Sequence, residues 1–196
     1  RRPPRSTLFP YTTLFRSTKL SGFGTNFLPF NLGSNGAGNQ GGKGNPKAAE
    51  GHFATDYLWE EVLSKDSLLD ILQSFVTIEV EPKTKDETLI FPRYHQLDVV
   101  RKLLKDVEVN GSKKNYLIEH SAGSGKSNTI AWLAFHLNNL YFAGKNEKVF
   151  DIIIVLNDRR VLDKQTRNTI MSFNPKDGTV KIAKKSSDIT DFRKLG

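Results

Sequence analysis

The chain has 196 residues and a formal net charge of +8, with 37% hydrophobic and 26% charged residues. That length holds one domain, or one domain with an appendage, around a slightly lean core. It has no cysteine, which excludes a disulfide framework, a thiolate metal site and a Cys nucleophile and fits a reducing cytosol, and no apolar run approaches the length of a membrane span.

Residues 1–17, RRPPRSTLFPYTTLFRS, carry four arginines and no acid, and setting them aside halves the net charge. A mild positive balance permits a nucleic-acid partner without demanding one. The segment imitates a targeting sequence, but Pro10 and three threonines break its apolar part and no small-residue cleavage site follows. It resembles, residue for residue, the translation of a common sequencing-library adapter. The expectation is therefore that it is not native and that the native chain starts before Thr18.

Residues 18–52 pass from GFGTNFLPFN into LGSNGAGNQGGKGNPK. So many glycines carry high chain entropy and offer almost nothing to bury, which predicts a flexible linker. A second phosphate loop is the weaker reading, because no strand precedes the glycines and Lys43 is not followed by Ser or Thr. Residues 54–77 predict two short helices, the first with Leu58, Val62 and Leu63 on its apolar face. Asp66 or Ser67 caps the second, ahead of Leu68, Leu69, Ile71, Leu72 and Phe75. Glu60, Glu61, Asp66 and Asp70 read as a solvated face rather than metal ligands, and residues 79–88 as a charged connector around Pro82.

Residues 91–109 predict a helix, with Leu97, Val100, Leu104 and Val107 at spacings of three and four. Gln96, at its start, has a carboxamide that can donate to and accept from an adenine edge. Alone it is an ordinary surface residue; thirty residues ahead of Lys126, it gains weight as an adenine reader.

The centre of the chain is Asn115–Tyr141. Tyr116, Leu117 and Ile118 suit a buried strand, and a small Gly-rich turn, Ser121-Ala122-Gly123-Ser124-Gly125, comes next. Lys126 and Ser127 then open a helix with Ile130, Leu133, Ala134, Leu137 and Tyr141 on one face. Strand, glycine turn, Lys-Ser and helix form the layout of a phosphate-binding loop. Amide N–H groups at a helix start point outward and the helix dipole adds positive potential, so a triphosphate is welcome there. Lys126 supplies a compact charge for the β- and γ-phosphates, and the Ser127 hydroxyl is the expected Mg²⁺ ligand. The strict pattern places Gly five residues before Gly125; this chain has His120, read as a strand-end residue beside the loop. The plainer alternative is a Gly/Ser loop with a chance Lys-Ser behind it.

After a turn at 144–148, Phe150–Leu156 is a β-branched run suited to a strand covered on both faces of a parallel sheet, which completes a right-handed βαβ unit. Asn157-Asp158-Arg159-Arg160 opens another helix, with Val161, Leu162 and Ile170 as its apolar positions, and Thr179–Ala183 is a candidate short strand. Asp158 can also be read as an acid holding Mg²⁺ through water, a reading that the adjacent Arg-Arg disfavours.

With the loop, Gln96 and DRRVLDKQ in view, residues 22–190 resemble the R (restriction and motor, HsdR-type) subunit of type I restriction–modification enzymes. The resembling strings are FLPFN, YLWEEVLSKDSLLDIL, FPRYHQLDVV, YLIEHSAGSGKSNTIAWLAF and VFDIIIVLNDRRVLDKQ. The resemblance implies an α/β fold: a partial P-loop, RecA-like, superfamily 2 helicase-type parallel sheet over 89–196, preceded by a connecting region over 18–88 with a Gly-rich linker and short helices. It implies a prokaryotic, cytoplasmic enzyme that uses ATP and Mg²⁺ to translocate on double-stranded DNA and cleave it, together with methylation (M) and specificity (S) subunits. It assigns the nucleotide to His120–Ser127, adenine reading to Gln96, and DNA-backbone contact to Arg159 and Arg160. No Asp-Glu-x-His-like motif follows Lys126, and neither a second motor lobe nor the nuclease acids are present, so the chain is expected to be an inactive fragment. Two other classes remain: a stand-alone P-loop kinase or phosphotransferase with Asp158 as its metal-holding acid, and a non-enzymatic DNA-binding fragment.

Overall fold

The computed structural model describes residues 15–16, 28–39, 44–80, 85, 87–158, 160–172 and 180–193. They belong to two compact units, Arg1–Val99 and Val100–Gly196.

In the first unit, β1 (Phe15–Arg16) pairs antiparallel with β2 (Leu28–Pro29). The next residue, Phe30, is buried and anchors an aromatic cluster. Its ring meets Phe91 at 6.1 Å and Tyr94 at 5.6 Å, and Tyr57 meets Tyr94 at 5.2 Å. All three contacts are edge-on, the arrangement that sets positive ring edges against negative faces. The Tyr57 hydroxyl donates to the Phe30 carbonyl at 2.6 Å. Burial pushes this phenol up to about 12, with a hydrogen bond from Asn45 offsetting part of the rise.

The glycine-rich stretch expected as a plain tether starts from this cluster and has a fixed base. Gly33 N–H donates to the Gly44 carbonyl at 2.9 Å, and Leu32 N–H donates to Asn45 Oδ1 at 2.8 Å. Asn45 is buried and also reaches Asn31 Oδ1. Glycine content reports chain entropy; it does not report the side chains at either end that offset it.

The predicted helical stretch over 54–77 becomes α1 (Lys65–Asp70) between two π-helical turns, Leu58–Val62 and Ile71–Phe75. Only Val62, Ile71 and Phe75 of the predicted apolar faces are buried, while Leu63, Leu69 and Leu72 stay exposed. The two ends of the stretch expected as a charged connector, 79–80 and 87–88, are strand instead: β3 (Thr77–Val80) pairs antiparallel with β4 (Glu87–Ile90), with Thr77 opposite Ile90 and Val80 opposite Glu87. Thr77, Ile78, Val80, Thr88, Leu89 and Ile90 are strand formers interleaved with the charges that suggested a loop.

Helix α2 (Tyr94–Asn110) begins in the first unit and ends in the second. It buries Leu97, Val100, Leu103 and Val107, so Leu103 takes the inward position expected of Leu104. Helix α3 (Lys126–Asn138) is the predicted central helix, but its buried side chains are Thr129, Ala131 and Trp132. Ile130 is exposed, and Tyr141 lies beyond the helix end and is exposed too. From Ile130 to Leu137 the helix is apolar almost all round, so periodicity gives little guidance to its inward face. Helix α4 (Arg160–Ser172) packs against α3 and buries Thr166.

Two segments expected as parallel strands behave differently. Residues 114–121 and 152–157 have no regular secondary structure, and both sheets among the described residues are two-stranded and antiparallel. Leu117 is 94% exposed and Leu156 82% exposed. A parallel strand is held by ladder partners on its edges and by cover on both faces, and these segments have neither among the described residues. The expected short strand at Thr179–Ala183 is irregular over 180–183, and Thr179 lies outside the described residues. Helix α5 (Ser186–Arg193) comes last, unanticipated. Its start is marked by Asp188, whose Oδ2 accepts from Lys184 N–H at 2.8 Å and Lys185 N–H at 3.1 Å.

Candidate phosphate-binding loop

The loop lies between the irregular 114–120 segment and α3. Ser124 N–H donates back to the Ser121 carbonyl at 3.3 Å, which draws Ser121–Ser124 into a tight turn. Gly123 and Gly125 have φ of +73° and +84°, left-handed values that a Cβ would penalise. A Cβ placed on Gly123 would meet nothing within 4 Å, so the demand there is conformational and the space beside it is open.

Gly125 is the N-cap of α3 and offers no side-chain cap, and no acid stands in the first turn. The positive end of a thirteen-residue helix thus carries no acidic side chain of its own in the first turn, the electrostatic setting that favours an anion. Asn128 and Thr129 N–H both turn back to the Gly125 carbonyl, at 3.1 and 3.3 Å, so the helical ladder starts at once behind the glycine.

Lys126 is exposed, and its ammonium folds back over the loop. Its Nζ donates to the carbonyls of His120 at 2.9 Å and Ser121 at 2.7 Å. An ammonium held on neutral carbonyls, with no carboxylate among these contacts, can exchange them for phosphate oxygens at little net cost in hydrogen bonds. Ser127, the second helical residue, is half-buried. Ser121, Ala122 and Gly123 are exposed, while Ser124 is buried at the foot of the turn. Burial, and after it the Lys126 charge, hold the His120 imidazole below its ordinary value of 6.5.

The donor set fits a triphosphate with its divalent cation: a helix start without a side-chain cap, two glycines at positive φ, an ammonium on loop carbonyls and a hydroxyl one residue further on. Within the second unit, the apolar groove of about 410 Å³ lies elsewhere, between Leu103, Val107, Ile118, Leu133, Leu137 and Phe150. Asn115, Tyr116 and Ile118 form part of its wall, and its one charged lining residue, Lys114, is paired with Asp106 at 2.8 Å.

Gln96, in the first unit, is buried, and its Oε1 accepts from Arg93 N–H at 2.8 Å. That contact is the returning half of a capping box, a structural duty at the start of α2 that adenine reading had not anticipated. Arg159 lies outside the described residues; Arg160 opens α4, and only its backbone is described. Asp158 is exposed. Among the acids read as a solvated face, Glu60 sits with His52 and Asp56, ligand atoms within 4.8 Å of one another. Asp56 Oδ2 there accepts from Phe53 N–H at 3.0 Å and faces His52 Nδ1 at 3.1 Å, which makes it the cap of its own exposed turn.

Comparison with known families turns on the half of the chain that carries this loop: the family of the SWI2/SNF2 ATPase matches residues 95–194. The chain belongs to the SWI2/SNF2 ATPase family. Membership makes the loop part of a helicase-type P-loop ATPase domain, and so of a nucleotide-using fold. A relative, described as the endonuclease subunit of the MjaVIIP type I restriction enzyme of Methanocaldococcus jannaschii, is 31% identical over 111 residues. That alignment covers 54% of this chain and 10% of the relative, so the chain spans about a tenth of that protein's length. No solved structure matches. Among the described residues, no helix is long and apolar enough to cross a membrane.

Proposed function

We propose that this SWI2/SNF2 ATPase chain is the ATP-binding piece of the R subunit of a type I restriction–modification enzyme. The parent protein is an ATP-dependent translocase on double-stranded DNA and an endonuclease that cuts unmodified DNA in complex with M and S subunits. The observation that carries the reading is the Lys126 ammonium held on the His120 and Ser121 carbonyls, beside a glycine turn at the head of α3 that has no side-chain cap. The restriction-enzyme relative supports the narrower assignment.

In this reading the backbone of Ser121–Gly125 and the first turn of α3 receive the β- and γ-phosphates. Lys126 leaves the loop carbonyls for phosphate oxygens, and Ser127 holds Mg²⁺ through its hydroxyl. The bound nucleotide supplies the phosphoryl bond whose hydrolysis drives translocation. Gln96 is assigned the adenine edge, which a carboxamide matches with its donor and acceptor. Arg159 and Arg160 lie along a DNA backbone, where a planar guanidinium fork suits phosphate. Residues 1–17 are translated adapter, and resequencing the source locus checks that point.

The direct test is titration of the full chain with a fluorescent ATP analogue and Mg²⁺. Wild type should bind weakly and Lys126→Ala about tenfold more weakly still, the equivalent of about 1.4 kcal/mol. Equal binding by the two proteins removes the nucleotide reading. For the parent, the extended gene product should show DNA-stimulated ATP hydrolysis and cleavage only with M and S subunits; cleavage without them counts against the type I assignment.

A further inference from the structure

The strict phosphate-loop pattern places a glycine where this chain has His120, and nothing in the proposed function uses that imidazole. His120 is half-buried, and its Nδ1 is closed off from solvent. Its own carbonyl is one of the two that hold the Lys126 ammonium, at 2.9 Å. The group that must move to meet a phosphate is therefore parked on the residue that bears the ring.

Resting on the reading of 120–127 as a triphosphate loop, we propose that His120 is a further phosphate-responsive residue of that loop. Its imidazole takes up a proton when the anion draws Lys126 away, and the resulting imidazolium adds to the hold on the phosphates.

The physical argument is one of local potential. Without ligand, burial first and the Lys126 ammonium second favour the neutral ring, and Lys126, from the first turn of α3, is the charged side chain whose field reaches it. A triphosphate carries more negative charge than one ammonium neutralises. Its arrival reverses the sign of the field at the ring and favours the charged form. The bound state has the higher imidazole pKa, so binding takes up a proton, and this contribution to affinity grows as pH falls from the bound value to the free value, which lies below 6.5. The ligand's terminal phosphate titrates in the same region, so the ring itself must be read.

The experiment is histidine-ring NMR on the full chain, titrated from about pH 5 to 8 with and without inorganic tripolyphosphate and Mg²⁺. The chain has four histidines, and loss of one signal in His120→Asn assigns the ring. In wild type the His120 midpoint should lie below 6.5 without ligand and rise by about half a unit or more with it, while the other three histidines stay in place. Lys126→Ala should raise the ligand-free midpoint by removing the ammonium. An unmoved His120 midpoint, with the Gly123 and Gly125 amide signals shifted by the ligand, overturns the proposal and leaves the phosphate loop standing. Unmoved amides at saturating tripolyphosphate overturn both.

Discussion

The chain has two glycine-rich stretches, 33–44 and 121–125, and they resolve in opposite ways. In the first the backbone turns back on itself. Gly33 and Gly44 bond to each other, and buried Asn45 closes the base against Leu32 and the Tyr57–Phe30 aromatic cluster. In the second the glycines hand the chain to a helix whose start has no cap, and a lysine lies across the opening on loop carbonyls. Glycine supplies the turn in both places. The residues behind each turn decide whether the N–H groups are spent within the protein or directed outward, and only a helix start with a cation beside it makes an anion site.

This contrast can be broken most forcefully at Phe30. Its replacement by Ala should cost about 3–5 kcal/mol of the first unit's stability, read by denaturant unfolding, because a buried aromatic leaves a large hole. Affinity for inorganic tripolyphosphate at the second stretch should be retained wherever the chain stays folded; parallel loss would mean that the two glycine stretches are not independent. Gly125→Ala sets a Cβ at φ +84° and should cost about 1–2 kcal/mol, with a matching loss of phosphate affinity. Lys43→Ala, in the first stretch, should leave phosphate affinity unchanged. Asn45→Ala removes the acceptor for Leu32 N–H and should cost about 1–3 kcal/mol, with faster amide exchange at Leu32 as the site-specific reading.

The aromatic cluster at the first stretch also carries a pH dependence. Tyr57 titrates at about 12 in the fold against 10 for a free phenol, so its contribution is complete below pH 10 and is lost as pH rises from 10 through 12. Allowing for its partial exposure, the loss should be about 1–2 kcal/mol in alkaline unfolding curves. Tyr57→Phe should remove that slope.

Much of this was legible. The order of glycine turn, Lys126, Ser127 and helix is a local matter, and α3 begins at Lys126 as the spacing predicts. Helix α2 declares itself because Leu97, Val100, Leu104 and Val107 recur at spacings of three and four, and three of them are buried. Helix α4 begins where the Asp158-Arg159-Arg160 run predicts one. The hairpin around 77–90 was obscured by charged residues on strands whose apolar partners are exposed. Helix α5 carries a local signal too, the Ser186-Ser187-Asp188 start with its capping carboxylate.

The amino-acid sequence alone determined where the chain can turn, where helices start and which residue types gather at the phosphate loop, because these depend on neighbours a few positions apart. Tertiary structure decided the rest. It selected Trp132 rather than Ile130 as an inward side chain of α3, fastened the first glycine stretch to an aromatic cluster, and set the Lys126 ammonium on two carbonyls. It also left 114–121 and 152–157 without ladder partners among the described residues. Each of these depends on groups distant in the chain or on the fold around a side chain, and local periodicity carries no information about which of them will meet.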